Sequence, residues 1–296
     1  MRSLLLFTLA SAALAQNPQG VPENAVTKVS GHVYAIVGFP NIAIVAGSRA
    51  TLAVDTGMGP RNGAVVARET QKLAQGPALY LTTTHFHPEH AAGEGAFPPQ
   101  TILIRPLAQQ QELDRRGAEY LNLFSSRSAQ NKELLAGVKF RTPDITFDRE
   151  ATLDLGGVTA RLFWLGAAHT QGDELIFVEP DRVLIPGDLV QNKLVPNMPN
   201  EDASVKGWLA ILDQIAPLGA RLVVPDHGAL GDGSLVAQER AFLADAQARA
   251  QALQRQGISA DDAGRMLTAE FKMKYPDWTN LGPLPNLVKR VYAESR

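Results

Sequence analysis

Apolar residues along this chain cluster in short runs separated by turn-forming residues. Positions 26–37, 41–46 and 50–55 are dense in Val, Ile and Ala, with Gly38, Pro40 and Gly47 between them. Runs of this kind predict consecutive strands of a meander. The period changes over 60–74, where Val65, Val66 and Leu73 fall on one side and Arg68, Glu69 and Lys72 are available for the other, as in a helix. Strands are predicted at 78–84 and 102–104. Residues 107–140 are polar with scattered apolar positions and read as helices and a long connection. A second strand series follows at 151–155, 158–165, 174–178 and 182–185, then a helix at 206–215, a strand at 221–224 and a long amphipathic helix at 234–256. Ser259-Ala260-Asp261-Asp262 predicts the capped start of a last helix. The order strands, helix, strand, loop occurs roughly twice, which points to two similar layers around one core.

The N-terminus departs from this pattern. It reads MRSLLLFTLASAALAQ, with Arg2 ahead of an apolar run at 4–14 and the small-x-small triplet Ala13-Leu14-Ala15. This is the form of an export signal cleaved after Ala15, so the mature protein is expected in the periplasm or secreted. The competing reading is a buried N-terminal helix. The run is too short to span a bilayer, no later stretch qualifies, and no cysteine follows the cleavage site to carry a lipid, so no membrane anchor is expected. The remaining chain divides into a main domain at 16–235 and a C-terminal helical extension at 236–296 packed on it. The 296 residues are 45% hydrophobic and 20% charged, with a formal net charge of −2. That balance gives no basic footprint for nucleic acid. With no cysteine in the chain, any metal site must use nitrogen and oxygen ligands.

The six histidines are distributed unevenly. Three lie in HFHPEH, at the end of the strand predicted for 78–84. Residues i and i+2 of a strand point the same way, so His85 and His87 can aim two imidazoles at one spot. Pro88 cannot continue the ladder, and the turn it forces brings Glu89 and His90 round the same point. Ala91-Ala92-Gly93 removes bulk so that backbone can pack closely. His169 in AAHTQGD, Asp188 in PGDLV and His227 in PDHGA each follow a predicted strand as well. Imidazoles and carboxylates gathered at strand ends suit zinc, and also iron or manganese. His32 is the exception. It alternates within a strand with no carboxylate or histidine nearby in sequence and reads as structural. Asp55, in VDTG, is expected to accept a ring N–H from a ligand histidine or to cap the turn at Gly57. The chain contains no Gly-x-Ser-x-Gly elbow, dinucleotide fingerprint or P-loop.

Taken in order, His-x-His-x-acid-His, a later Ala-His-Thr, Gly-Asp and a final Asp-His-Gly resemble the signature of the metallo-β-lactamase superfamily, from about Val26 to Gly228. The resemblance implies an α/β fold, an αββα sandwich with C-terminal helices and a metal site at one edge between the sheets. It implies that His85, His87 and His169 hold a first ion, that Glu89, His90 and His227 hold a second, and that Asp188 bridges them, with two zinc ions as the expected pair. The implied activity is a metal-dependent hydrolase. A bound divalent ion lowers the pKa of its water to about 7, and the attack falls on an ester, thioester, lactone or amide of a small molecule. Asp188 and Glu89 are the expected catalytic carboxylates, the first orienting the attacking water and the second moving its proton. True β-lactamases of the superfamily generally carry Cys or Ser where Asp188 stands, so the resemblance leans to the glyoxalase II-like and exported SoxH-like branches. A β-lactamase proper, an iron-dependent sulfur dioxygenase-like protein and a non-catalytic metal-binding protein are the alternatives.

One letter departs from the motif. Glu89 stands where Asp is usual, and its arm is longer by one methylene, ~1.5 Å. Three outcomes are open: ligation from a shifted backbone, proton transfer from beyond the metal, or a weak second site; ligation is the expected one, because His90, His227 and Asp188 are all present. Segments 38–41, 120–124 and 193–200 are candidates to roof the substrate pocket. Trp164 and Trp208 are expected in the core, and Tyr275–Trp278 is expected to anchor the C-terminal helices.

Overall fold

The computed structural model describes residues 20–198, 201 and 203–295. The export signal expected at 1–15 therefore lies outside the described residues. In the first half of the chain β1 (Val26–Lys28), β2 (Val33–Ile36), β3 (Ile42–Ala46) and β4 (Ala50–Val54) form an antiparallel meander. Helix α1 (Gly59–Leu73) then crosses to β5 (Ala78–Thr82), which pairs parallel to β4. The short α2 (Pro88–Ala91) precedes β6 (Ile102–Pro106), α3 (Leu107–Arg127), α4 (Ala129–Leu134) and β7 (Ile145–Phe147). These seven strands lie in one sheet in chain order.

The second half builds a six-stranded sheet. Its strands are β8 (Glu150–Asp154), β9 (Thr159–Trp164), β10 (Glu174–Glu179) and β11 (Val183–Ile185), followed after α5 (Val205–Ile215) by β12 (Leu222–Val223) and β13 (Gly231–Asp232). Three helices close the chain: α6 (Ser234–Arg255), α7 (Ala260–Lys274) and α8 (Leu284–Glu294).

The strand sequences explain the layering. Along β3, Ala43 and Val45 face the second sheet while Ile42 and Ile44 face α1. Along β10, Ile176 and Val178 face the first sheet while Leu175 and Phe177 face α5 and α6. Period-two alternation with both faces apolar gives an unbroken hydrophobic run, which only a sheet covered on both sides can bury. The result is helix, sheet, sheet, helix, the αββα sandwich expected from the sequence. Each fully buried Ile, Leu or Phe contributes about 1.5–3 kcal/mol relative to exposure. Trp208 of α5 is fully buried in the outer core shared by β10, β11 and α6–α8, and its indole N–H donates to the Leu189 carbonyl. Trp278 stacks on Phe242 at 3.9 Å, and the Tyr275 hydroxyl donates to Asp245. The YPDW segment thus ties the last loop to α6.

Several elements differ from the sequence expectation. The run at 26–37 is a hairpin, not one strand, because Ser30 and Gly31 turn the chain and the Val29 and Ser30 N–H groups both donate to Val33 O. His32 lies in that turn and does have a carboxylate beside it: Nδ1 meets Asp181 Oδ1 at 2.8 Å, and the His32 and Ser30 donors share the other oxygen. Asp181 is 149 positions away, in the turn between β10 and β11, beyond the reach of any local pattern. Trp164 is half-buried at the end of β9, its N–H donating to Gln171 O. The two- and three-residue strands β7 and β13 carry too few positions to show a period. Helix α7 starts as expected, with Ser259 Oγ accepting from Asp262 N, but it is not the last. α8 begins at a Pro-rich turn, with Pro283 at its N-cap and Pro285 in its first turn, where no N–H is needed.

The small triplet after the histidine motif has the expected role. A Cβ on Gly63 of α1 would lie 2.0 Å from the Gly93 carbonyl oxygen, so the two backbones touch. Helix propensity alone makes Gly→Ala in α1 stabilising by ~1 kcal/mol. The clash has the opposite sign and is larger. Gly63→Ala is expected to destabilise the fold by about 3 kcal/mol, read as a lower urea midpoint at unchanged slope; a stabilised variant would contradict this packing.

Candidate metal centre

The strands deliver their C-terminal ends to one edge of the sandwich, and the histidines follow those ends. β5 ends at Thr82, two residues short of the strand expected over 78–84; the chain bends from Thr84 to His87, and Pro88 starts α2 at its first position. His85 Nε2 and His87 Nδ1 come within 3.0 Å. His169, in the loop between β9 and β10, brings Nε2 to 3.3 Å from the same His87 nitrogen. Its other nitrogen meets the Asn197 carbonyl at 2.7 Å, which fixes the ring. Three ring nitrogens thus converge in a buried space. Burial, reinforced by the neighbouring imidazoles, holds His85 and His87 well below the ordinary histidine pKa, so both are neutral. Neutral imidazoles sharing so few protons present lone pairs to one another, an arrangement that a cation relieves.

The second group lies alongside. His90, Asp188 and His227 bring ligand atoms within 4.8 Å of one another. Asp188 stands in the single turn after β11, with Oδ2 3.4 Å from His169 Nε2 and Oδ1 3.1 Å from His227 Nε2. One carboxylate therefore faces a histidine of each group. Burial alone would raise the Asp188 pKa; the facing imidazoles outweigh it and hold the group well below the usual carboxylate range. His90 Nε2 is buried without a partner, and so is Glu89 Oε2. Donor chemistry and orphaned buried atoms alike fit divalent metal ions. The carboxylate of Glu89 belongs to none of the close ligand groups among the described residues. It lines the cavity over the site, and burial raises its pKa.

Around these groups lies a layer of support that the sequence reading found only in part. Asp55, at the end of β4 with φ of 68°, accepts from Thr84 N at 2.7 Å and faces His90 Nδ1 at 3.1 Å. It takes the ring nitrogen, as expected of it. Asp226 was not singled out in the sequence, yet its Oδ2 lies 3.2 Å from the same His90 nitrogen and accepts from Thr84 Oγ1 at 2.8 Å. Burial would lower the His90 pKa, but the two carboxylates hold it well above the ordinary value. Its position immediately before His227 at a strand end was the available signal for Asp226. Helix α3 is the larger omission. Gln109 donates to Thr83 O and Gly172 O and accepts from Thr83 Oγ1, while Glu112 accepts from the Gln171 and Gly172 N–H groups. One helix face thus clamps the loop of His85 to the loop of His169. Within the latter, Asp173 accepts from Ala168 and Thr170, and burial pushes its pKa up to about 6.

The cavity over the site has a volume of ≈ 370 Å³. Phe39 stacks on His227 at 4.2 Å and Tyr120 lies parallel to His87 at 4.7 Å. Phe39, Tyr120, Phe124 and Asn197 all line it, so each candidate roof segment contributes.

The sequence matches the family model described as the metallo-beta-lactamase superfamily over residues 35–227. The chain belongs to the metallo-beta-lactamase superfamily. A linear primary-alkylsulfatase from Pseudomonas sp. (strain ATCC 19151) is 26% identical over 208 residues, covering 59% of this chain. The present chain spans only 39% of that relative's length. A metallo-beta-lactamase type 2 from Bacteroides fragilis is 25% identical over 246 residues, covering 76% of this chain and 88% of its own. Among solved structures, the metallo-beta-lactamase from Pontibacter korlensis superposes with a TM-score of 0.60 at 22% identity, covering 74% of this chain and 98% of its own. The stereoselective inverting sec-alkylsulfatase Pisa1 from Pseudomonas sp. gives 0.72 at 15% identity, covering 91% of this chain and 50% of its own.

Within this metallo-beta-lactamase fold one further carboxylate supports the Asp188 turn. Glu239 of α6 is fully buried, and its Oε2 accepts from Gln191 N at 3.3 Å. Burial raises its pKa well above the ordinary value. The folded protein therefore holds a proton there that the unfolded chain releases near pH 4.3. Stability from this group is complete below that pH and declines as pH rises towards the folded pKa. Glu239→Gln keeps the acceptor and removes the titration. Its stability relative to the parent should grow with pH across that window, measured by urea unfolding at pH 5, 6, 7 and 8; a constant difference would refute a titrating Glu239.

Proposed function

We propose that this superfamily hydrolase holds two divalent ions, zinc in the first instance, and cleaves an ester, thioester, lactone or amide of a small molecule. The observation that carries the reading is Asp188, whose two oxygens face His169 on one side and His227 on the other. His85, His87 and His169 would hold one ion, and His90 and His227 the other, with Asp188 between. Ions held there supply Lewis acidity and a water acidic enough to ionise near neutral pH.

The chain's own residues do the rest. Asn197 O, Asp55 and Asp226 fix the imidazole orientations, so little reorganisation is needed as charge develops. Asp188, held ionised by the facing imidazoles, can accept a hydrogen bond that orients the attacking water. Phe39, Tyr120 and Phe124 wall the cavity and exclude bulk solvent from a bound acyl group. Glu89 is the proton carrier of this reading. Its Oε2 is buried, without a partner and raised in pKa, which suits a group that takes a proton from one atom and returns it to a leaving group. A second reading, cleavage of a sulfate ester, is supported by the alkylsulfatase relative.

The test combines turnover with metal content. The zinc-loaded chain is assayed with nitrocefin, a γ-lactone, an acyl thioester, p-nitrophenyl butyrate and p-nitrophenyl sulfate. Turnover of at least one carboxylic substrate is expected; sulfate cleavage alone would transfer the assignment to the second reading, and failure with all, at two bound metals, would sink the hydrolase. Glu89→Gln is expected to keep two metals by elemental analysis while losing about 100-fold or more in kcat. Loss of one metal in that variant would instead make Glu89 a ligand.

We also propose that the chain is exported through residues 1–15, on the strength of Arg2, the short apolar run and Ala13-Leu14-Ala15. Among the described residues no helix is long and apolar enough to cross a membrane. The intact mass of the protein recovered from a periplasmic extract should correspond to a chain starting at Gln16; an uncleaved N-terminus would contradict the signal.

A further inference from the structure

The cavity over the metal centre is lined by one lysine or arginine side chain among the described residues, Arg127. It lies in the last turn of α3, the helix that clamps the two metal loops. Its guanidinium carbon sits 3.6 Å from the centre of the Phe124 ring, a cation–π contact at the wall of the cavity. Phe124 in turn lies 6.1 Å from His87, ring to ring, so a single side chain separates the guanidinium from the metal centre.

Its neighbours on the helix use their charges differently. Arg115 donates to Gln171, and Arg116 pairs with Glu119. Arg127 makes no hydrogen bond or ion pair among the described residues. The guanidinium rests on the Phe124 ring and lines the cavity, with its N–H groups unpaired among the described residues. A cation at a helix C-terminus also complements the helix dipole, but that term is ~0.3–1 kcal/mol and needs no stacking partner. Guanidinium donors are a planar fork matched to carboxylate and sulfate oxygens.

We propose that Arg127 is a specificity-determining residue that pairs with an oxyanionic group carried by the substrate, a carboxylate or a sulfate, while the bond to be cleaved lies at the metal centre. This rests on the hydrolase reading above. It narrows the substrate class to anionic small molecules with an apolar portion that packs on Phe124 and Tyr120. A charge-assisted pair at a partly solvated rim changes affinity by roughly tenfold or more.

The experiment compares wild type, Arg127→Ala and Arg127→Lys, each as the full zinc-loaded chain. The substrates are p-nitrophenyl butyrate, which is neutral, the p-nitrophenyl monoester of glutarate, which carries a carboxylate, and the p-nitrophenyl ester of 4-(sulfooxy)butyrate, which carries a sulfate away from the ester bond. The readout is the ratio of kcat/KM for each anionic substrate to that for the neutral one. Arg127→Ala should lower the ratio about tenfold, chiefly through KM, and Arg127→Lys should recover part of it. A fall confined to the glutarate ester identifies a carboxylate as the partner, and a fall confined to the sulfate identifies the sulfuryl group. An unchanged ratio overturns the proposal. Binding of the non-hydrolysable ether 4-(4-nitrophenoxy)butyrate, measured by calorimetry, should weaken about tenfold in Arg127→Ala. Equal affinity overturns the role of Arg127 whether or not any substrate turns over. Absence of turnover by the wild type, with binding still dependent on Arg127, counts against the hydrolase reading alone.

Discussion

His85, His87, His90, His169, Asp188 and His227 are all buried, and they meet in one notch between the ends of two sheets. Left to themselves such groups are costly to bury. An unsatisfied buried donor or acceptor costs about 1–3 kcal/mol, and more when charged. The notch is held on its outer side at His90, whose Nδ1 faces Asp55 and Asp226, and at His169, whose Nδ1 meets the Asn197 carbonyl. Thr84 is the centre of that arrangement. Its N–H and hydroxyl engage Asp55 and Asp226, and both carboxylates in turn face His90 Nδ1. Three chain segments far apart in sequence are thereby fixed to one hydroxyl, and the Nε2 of His90 is left free to face inward.

The scaffold explains how the fold tolerates this. The two strand series were visible as unbroken apolar runs because each sheet is covered on both faces, and the helix at 60–74 was visible from its changed period. The ligand residues were visible for the same geometric reason. They sit where strands end, where a tight turn follows and where small residues let backbones touch, as Gly63 and Gly93 do. His85 and His87 were expected to share a direction from strand spacing; they do meet at 3.0 Å, but in the bend that follows β5 and not in a strand. Local pattern therefore carried the sheets and the positions of the motif residues.

The supporting layer was not legible, and the reason is physical. Gln109 and Glu112 lie three apart on a helix rich in Gln, Asp and Arg, and in sequence they look like a solvated face. Their partners, Thr83 and the 171–172 backbone, are reached only when α3 folds across both loops. His32 is structural, as expected, but its partner was missed in the same way, since Asp181 comes from the turn between β10 and β11. Glu239 looks like one more charge of an amphipathic helix until the turn after Asp188 is laid on it. Each is a polar residue whose partner is a distant backbone or carboxylate, and the pairing leaves no periodic trace. Pattern reading finds what is repeated along a segment and misses contacts made once between segments.

The odd acid of the motif can now be placed within these constraints. Helix α2 starts at Pro88, so Glu89 and His90 share its first turn and move together. His90 is locked on its outer side by two carboxylates, and the turn is pressed by Gly93 onto α1. The helix is not free to slide by the length of a methylene to bring Glu89 into register with the ligand atoms. The extra reach must instead be taken up by the side chain, which extends to the cavity wall and ends with Oε2 buried and unpaired. Glu89 lines the cavity, has a raised pKa and keeps one buried oxygen without a partner, which is why the proposed reaction assigns the proton to it. The rigidity that fixes His90 is thus also what leaves Glu89 outside the ligand groups and turns its added length towards the cavity.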